Sequence, residues 1–288
     1  MEMADLGNPS ATGAVLEKYG IRAQKKYGQN FLIDQNILEK IAQTSQIGKD
    51  DLVLEIGPGL GALTQILCER AGRVIAVEID KKLIPVLEET LSGYDNLSLI
   101  NEDILKCDLK DLLKEGDRYG SVKVVANLPY YITTPVLMFL LESRYPFESV
   151  TVMIQKEVAD RIKAGPSTKD YGSLSLAVQY YSQPVVALQV PPSCFIPRPG
   201  VGSVVLKLGI YREKPVEAKD EELLFRLIRG SFNQRRKTLV NGLKNYAGLD
   251  LSKEQIESAI EKLGKKPSVR GEELTLSEFA ELADILTS

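Results

Sequence analysis

The sequence predicts an α/β fold, a doubly wound and mostly parallel sheet, followed by a small all-α domain. Three observations predict it. Strand-length apolar runs alternate with segments of helical period from residue 51 to about residue 164, at separations suited to parallel crossovers. The first run is cut by Gly57, Gly59 and Gly61, and helical spacing resumes from Leu60. From about Glu213 the strand pattern stops and only helical segments follow. The expected domains are therefore residues 1–212 and 213–288.

Residues 13–27 read as a short helix followed by a basic turn, and Gly28 to Leu32 as a loop. Asp34 is suited to cap a helix from about Gln35 to Thr44, with Ile37, Leu38 and Ile41 facing inward. Asp51 to Thr64, DLVLEIGPGLGALT, reads as strand, tight turn and helix. Glycines belong in such a turn because they tolerate positive φ and let a ligand approach the backbone, toward which the first N–H groups of the helix point. The spacing is E-x-G-x-G-x-G and departs from the dinucleotide pattern G-x-G-x-x-G. It fits a nucleotide-like cofactor, and it fits an ordinary glycine-rich turn.

Arg73 to Ile79 is a second strand, followed by a helix marked by Ile84, Leu87 and Leu91. Asn96 to Ile100 is a third, ending at Glu102-Asp103, and Val122 to Ala126 a fourth, ending at Asn127-Leu128-Pro129-Tyr130. A helix from about Thr134 to Leu141, a strand at Val150 to Ile154 and a helix opening at Lys156 continue the alternation. Gly165 to Thr168 is a turn and Leu174 to Tyr181 a helix. Val185 to Val190 and Ser203 to Ile210 are strands separated only by the loop PPSCFIPRPGVG, which predicts an antiparallel pair at a sheet edge. Four helices are expected near 219–232, 234–246, 252–263 and 275–286.

Composition narrows the chemistry. The 288 residues are 44% hydrophobic and 26% charged, ordinary globular usage. No apolar stretch reaches the roughly 18 residues of a membrane span, and a cytoplasmic protein is expected. Cys68, Cys107 and Cys194 are too far apart for a zinc pair, and no metal is expected. The chain has no histidine, which removes Ser-His-Asp and Cys-His catalysis and any imidazole base. The net charge is −3, yet Glu222 to Lys244 carries six basic residues against one acidic, a net of +5. Further basic clusters lie at Lys18, Arg22, Lys25 and Lys26 and at Lys265, Lys266 and Arg270. Each cluster alone reads as a solvated face; three in an otherwise acidic chain point to nucleic acid.

In a doubly wound sheet the ligand lies beyond the carboxyl ends of the strands. Glu55 and Gly57, Glu78, Asp103 and Asn127 occupy four such ends. Glu78 follows Gly57 by 21 residues, a distance at which an acid reaches ribose hydroxyls in NAD or in S-adenosylmethionine. The segment Asn127-Leu128-Pro129-Tyr130 discriminates further. The exocyclic amine of adenine is a poor nucleophile because its lone pair is delocalised into the ring, and accepting both amine hydrogens on fixed oxygens localises that pair. The Asn127 side-chain oxygen and a carbonyl near Leu128 can do so, with Pro129 stiffening the loop and Tyr130 presenting an aromatic face. No titrating base is needed, and catalysis rests on orientation and electrostatics. Phe195, in the Pro-rich loop, is placed either to sandwich an extruded base with Tyr130 or simply in the core.

Together these residues resemble the KsgA/RsmA family of small-subunit ribosomal RNA adenine dimethyltransferases. The likeness runs through GQNFL at 28–32, EIGPGLGALT at 55–64, EID at 78–80, ED at 102–103, NLPYYITTP at 127–135, QKEVADR at 155–161, FIPRPGVGS at 195–203, SFNQRRKTL at 231–239 and VRGEELTLSEF at 269–279. NLPY alone is shared with large-subunit resistance methyltransferases; the last two motifs resemble the small-subunit group. The resemblance implies a seven-stranded, Rossmann-like class I methyltransferase sheet. It implies S-adenosylmethionine held by Asn30, Leu32, Gly57, Glu78, Asp103 and Asn127, with catalysis by Asn127, Leu128, Pro129, Tyr130 and Phe195. The implied substrate is a pair of adjacent adenosines in the 3′-terminal hairpin loop of 16S rRNA within the pre-30S particle. Arg226, Arg229, Arg235, Arg236 and Lys237 would contact rRNA phosphates, and the chain is expected to act as a monomer. A non-catalytic RNA-binding assembly factor and a large-subunit methyltransferase are the alternatives; a dehydrogenase is disfavoured by the glycine spacing.

Overall fold

The computed structural model describes residues 6–21, 24 and 28–287. Its strands are β1 (Phe31–Leu32), β2 (Asp51–Ile56), β3 (Arg73–Glu78), β4 (Leu97–Asn101), β5 (Ser121–Asn127), β6 (Ser149–Gln155), β7 (Ser182–Val190), β8 (Phe195–Ile196) and β9 (Ser203–Ile210). Its α-helices are α1 (Pro9–Lys18), α2 (Gln35–Ser45), α3 (Ala62–Arg70), α4 (Ile84–Thr90), α5 (Leu109–Leu112), α6 (Thr133–Glu142), α7 (Lys156–Lys163), α8 (Ser173–Tyr181), α9 (Glu221–Asn233), α10 (Leu239–Lys244), α11 (Lys253–Lys262) and α12 (Leu276–Thr287).

Seven strands form one sheet in the order β4-β3-β2-β5-β6-β9-β7. Strands β4, β3, β2, β5 and β6 are mutually parallel, and β9 runs antiparallel to β6 with Ser149 opposite Gly209 and Gln155 opposite Ser203. From β2 the chain builds outward to β4, then returns to build outward through β5. The crevice between β2 and β5 is thus the switch point where such sheets bind ligands. All six residues of β2 are buried. Successive strand side chains point to opposite faces, so both faces of the sheet are covered there. One face packs Ile37, Leu38 and Ile41 of α2 and Leu63, Ile66 and Leu67 of α3 onto Val53, Val74, Val125, Met153 and Val205. Asp34 caps α2 by accepting from the Ile37 N–H at 3.2 Å, as expected from its position.

Three local expectations are corrected. Helix α1 starts at Pro9, because the Asn8 side chain accepts from the Ala11 N–H at 2.8 Å and proline fits the first turn. The basic turn expected after it, with Arg22, Lys25 and Lys26, lies outside the described residues. The loop at 28–32 contains β1, paired antiparallel with β8, Phe31 opposite Ile196 and Leu32 opposite Phe195. No local pattern reveals a two-residue pairing between segments so distant. Finally, the helix expected at 234–246 begins only at Leu239. Thr238 caps it, accepting from the Asn241 N–H at 3.4 Å, and the Lys237 N–H closes a turn on the Gln234 carbonyl at 2.8 Å. Arg235, Arg236 and Lys237 therefore sit in a turn.

The chain forms two compact units, Met1–Ala159 with Gln183–Ile210, and Asp160–Ser182 with Tyr211–Ser288. The expected single cut after residue 212 leaves 160–182 with the sheet, whereas these residues cluster with the helices. Aromatic packing is the reason. Tyr180 meets Phe225 edge-on at 5.2 Å, Tyr181 stacks on Phe225 at 5.6 Å, and the Tyr171 hydroxyl donates to the Leu274 carbonyl at 2.8 Å. In the helical unit Asp220 caps α9 by accepting from the Leu223 N–H at 2.8 Å, and Ser252 with Gln255 forms a reciprocal capping box on α11.

Candidate active site

At the switch point the glycine turn does what its spacing predicts. Gly57, Gly59 and Gly61 have φ of +70°, +63° and +96°, a region side-chain-bearing residues rarely enter. The turn delivers the chain into α3. The Gly59 N–H donates to Glu78 Oε2 at 3.3 Å, so the first and second strand ends are tied together. The other Glu78 oxygen accepts from the Asp80 N–H at 2.8 Å. Glu78 is 5% exposed, and burial raises its carboxyl above the ordinary range despite these bonds. Glu55, 1% exposed, is raised by burial, and further by the Glu78 charge, up to about 8. Its Oε2 has no hydrogen-bond partner within the protein.

These residues line one cavity with Asn30, Leu32, Gly57, Asp103, Asn127, Leu128, Pro129, Tyr130 and Phe195. The cavity thus gathers every cofactor and catalytic candidate named from the sequence. Asp103 caps the short turn Ile104–Lys106 by accepting from the Leu105 N–H at 3.1 Å. Asn127 ends β5, and its Nδ2 donates to the Asn30 carbonyl at 3.3 Å. With Nδ2 so engaged, Oδ1 is the end of the carboxamide left to accept from a ligand. Leu128 is buried and its N–H donates to the Met153 carbonyl at 3.2 Å, while the Ile132 N–H donates to the Pro129 carbonyl at 3.1 Å. The segment is held by its backbone on both sides of Pro129.

The aromatic residues differ in access. Tyr130 is half-buried and its hydroxyl shares a hydrogen bond with Ser203 Oγ at 2.8 Å. Phe195 is 2% exposed and belongs to the core cluster as well as to the cavity wall. Tyr131 is 54% exposed at the cavity and was not singled out from the sequence, although it directly follows the motif tyrosine. Gly28, at φ +55°, lies close beneath it: a Cβ there would come within 3.2 Å of the Tyr131 ring.

The donor set selects the ligand's charge. Among the described residues four carboxyl groups line the cavity, those of Glu55, Glu78, Glu102 and Asp103, and no lysine or arginine does. Even with Glu55 protonated at neutral pH, the remaining carboxyl groups favour a cation and oppose a pyrophosphate. S-adenosylmethionine, with its sulfonium and ammonium, fits; a dinucleotide does not. Glu78 and Gly57 stand at neighbouring strand ends in the cavity wall. Among the described residues no group of three or more acidic or cysteine side chains is arranged to hold a metal ion.

In the helical unit the candidate RNA contacts divide. Arg229, Arg236 and Lys237 are exposed. Arg235 is also exposed, but its Nε donates to Glu272 Oε2 at 2.7 Å and its guanidinium to the Thr168 carbonyl at 2.9 Å. Arg226 lies 3.9 Å from Glu222 and donates to the Gly248 carbonyl at 3.4 Å. Gly271 packs so closely on Ser231 that a Cβ would meet it at 2.6 Å. The motifs at 231–239 and 269–279 are therefore two sides of one contact. Of the other basic clusters, Lys18 pairs with Glu89, and Lys265 pairs with Glu278 at 2.6 Å.

Comparison with known proteins places this geometry. The family model described as ribosomal RNA adenine dimethylase matches residues 20–284. The ribosomal RNA small subunit methyltransferase A of Lachnoclostridium phytofermentans is 59% identical over 285 residues, 99% of this chain and 98% of that protein. Its counterpart in Alkaliphilus metalliredigens is 51% identical over 280 residues, 97% of both chains. Among solved structures, a dimethyladenosine transferase from Plasmodium falciparum is similar with a TM-score of 0.74 and 27% identity, covering 88% of this chain and 95% of that one. The 23S rRNA methyltransferase ErmE follows with a TM-score of 0.66 and 26% identity, covering 90% and 100%.

Proposed function

Because this chain belongs to the ribosomal RNA adenine dimethylase family, we propose that it converts two adjacent adenosines in the 3′-terminal hairpin loop of 16S rRNA to dimethyladenosines. The family is S-adenosylmethionine-dependent and acts on rRNA. Identity of 59% to a small-subunit enzyme against 26% to a large-subunit one favours the 16S target. The observation that carries the reading is the cavity itself, lined among the described residues by four carboxyl groups and no lysine or arginine, with an Asn127 carboxamide whose Nδ2 is engaged by Asn30.

S-adenosylmethionine supplies an electrophilic methyl group when bound. Glu78 binds the ribose hydroxyls, Asp103 accepts from the adenine amine of the cofactor, and Asn30, Leu32 and Gly57 close around it. At the target base, Asn127 Oδ1 and the Leu128 carbonyl accept the amine hydrogens and draw the nitrogen lone pair out of the ring. Pro129 keeps that carbonyl in place, and Tyr130 with Phe195 flanks the base. The proton displaced by methylation leaves to water, so no histidine is required. Rate enhancement comes from preorganised acceptors and alignment.

The helical unit docks on rRNA through Arg229, Arg236 and Lys237, with Arg226 and Arg235 placing the surrounding backbone. The chain works as a monomer in the cytoplasm on the pre-30S particle. No described helix is long and apolar enough to cross a membrane, consistent with that setting.

Methyl incorporation from labelled S-adenosylmethionine into undermethylated small subunits, with large subunits and free RNA in parallel, tests the reading. Dimethyladenosine confined to small-subunit RNA is expected. Labelling of large-subunit RNA refutes the target, and particle binding without any incorporation leaves an assembly factor.

A further inference from the structure

One buried carboxylate beside the cavity has no part in the chemistry above. Asp80, 4% exposed, follows β3 two residues after Glu78. Its Oδ2 accepts from Gln24 Nε2 at 2.8 Å and from Gln29 Nε2 at 3.0 Å, and its Oδ1 from the Lys82 N–H at 3.2 Å. Its own N–H donates to Glu78 Oε1 at 2.8 Å. Gln29 is fixed at both ends of its amide, since its Oε1 accepts from the Gln24 N–H at 2.9 Å. The next residue, Asn30, offers its carbonyl to Asn127 Nδ2 at 3.3 Å. A belt of bonds therefore runs from Glu78 through Asp80, Gln29 and Asn30 to Asn127.

The two ends of a carboxamide have nearly the same shape and opposite hydrogen-bonding character. If the Asn127 side chain turned over, a donor would stand where the target amine needs an acceptor. The Asn30 carbonyl, itself an acceptor, selects Nδ2 for its own side. That carbonyl is only as well placed as the segment carrying it. The segment is anchored by a carboxylate, whose charge-assisted bonds are stronger than neutral ones. We propose that Asp80 is a positioning residue for methyl transfer: by anchoring Gln29 it fixes the Asn30 carbonyl, which holds the Asn127 carboxamide with Oδ1 toward the substrate. The inference rests on the role given to Asn127 above.

Asp80→Asn keeps the side chain's shape but removes the charge behind both glutamine bonds and replaces one acceptor oxygen by a donor, so that either the Lys82 N–H or the two glutamine amides lose their acceptor. The backbone bond to Glu78 survives. The expected result is kcat lowered roughly 10- to 100-fold, the scale of a small misplacement of a reacting group. The Kd for S-adenosylmethionine, measured by calorimetry, should rise by a clearly smaller factor than kcat falls, because Asn30 and Leu32 also close around the cofactor whereas the Asn127 alignment matters only in the transition state. Amide hydrogen exchange at Asn30 to Leu32 should become faster. Gln29→Ala, a milder change at a partly exposed position, should repeat the kcat-selective loss, and the double variant should be no worse than either single one. Unchanged kcat, parallel loss of cofactor affinity and thermal stability, or multiplying losses in the double variant would each overturn the proposal. Absence of methyl transfer by the unsubstituted protein overturns the functional reading instead, and hydrogen exchange still reports on the belt.

Discussion

Replacing Glu55 by glutamine should make the cofactor-free protein more stable, and more so as pH rises. Glu55 ionises near 4.5 in an unfolded chain, and burial with the nearby Glu78 charge moves it up to about 8 in the fold. Folding at neutral pH must therefore take up a proton. The folded-state value is the higher one, so the stability tied to this group is whole below about pH 4.5 and is lost as pH rises toward 8. At pH 7 the loss spans about 2.5 pH units at about 1.4 kcal/mol each, or about 3 kcal/mol. Glutamine fills the same space, cannot ionise, and escapes this loss. Urea unfolding of both proteins at pH 5, 6, 7 and 8 reads the difference, which should grow from under about 1 kcal/mol at pH 5 to about 3 at pH 7. A difference that stays constant across this range would show that Glu55 is ionised in the fold and would refute the reasoning.

Three further tests address separate parts of the molecule. Asn127→Ala should lower kcat by roughly 10²- to 10³-fold, the cost of removing one preorganised polar group at the reacting atoms, while particle binding in a sedimentation assay stays unchanged; full activity would remove Asn127 from the chemistry. Lys123 is buried against Asp51, Nζ to Oδ2 2.8 Å, and Lys123→Met should destabilise by about 3–5 kcal/mol because it strands that carboxylate. Burial pushes the Asp51 carboxyl up, but bonds from Lys123, Ser121 and Gly48 outweigh it and hold it below its ordinary 3.8, so the stability it contributes is present above that pH and is lost in acid; denaturation at pH 7 and pH 3 should show the variant's deficit shrinking at the lower pH. Replacing Arg236 and Lys237 together by alanine should reduce the salt slope of particle binding by about 2, whereas Arg235→Ala should leave it nearly unchanged and cost about 1 kcal/mol of stability; equal slopes for the two variants would contradict the division between docking and structural arginines.

The strand ends were readable because a parallel sheet buried on both faces leaves continuous apolar runs, and the residue after each run must stand at the carboxyl edge. Glu78 and Asn127 could be placed on that ground; Asp103 follows the half-buried edge strand β4, whose LSLIN is not a continuous apolar run. Asp80 could not be placed that way. Its importance lies in amides from Gln24 and Gln29, more than fifty residues earlier, and an Asp after a strand reads equally well as a solvated end. The pairing of β1 with β8 was hidden for the same reason. The misplaced start of α10 has a different cause: Gln-Arg-Arg-Lys are all competent helix formers, and Thr238, whose capping hydroxyl ends the turn, carries no mark in the sequence that separates it from a mid-helix threonine.

The corrected turn changes how the basic run is counted. Read as one helix from 234 to 246, its cations form a single solvated face, and all of them qualify for phosphate. In the structure the Arg235 guanidinium is taken by Glu272 and the Thr168 carbonyl, and Arg226 leans on Glu222 and the Gly248 carbonyl. A guanidinium already bonded inside the unit has less to gain from a phosphate than one held only by water. The nominal +5 of the run therefore overstates its docking charge, much as the chain's net −3 understates it, because Glu78, Glu102 and Asp103 line a separate cavity. Those three groups line a cavity whose field is little screened by salt, whereas Arg229, Arg236 and Lys237 are exposed to the salt of the solvent. One chain can then hold a cationic cofactor and a polyanionic substrate because the two charge sets are separated by burial, and a sum over the whole sequence describes neither.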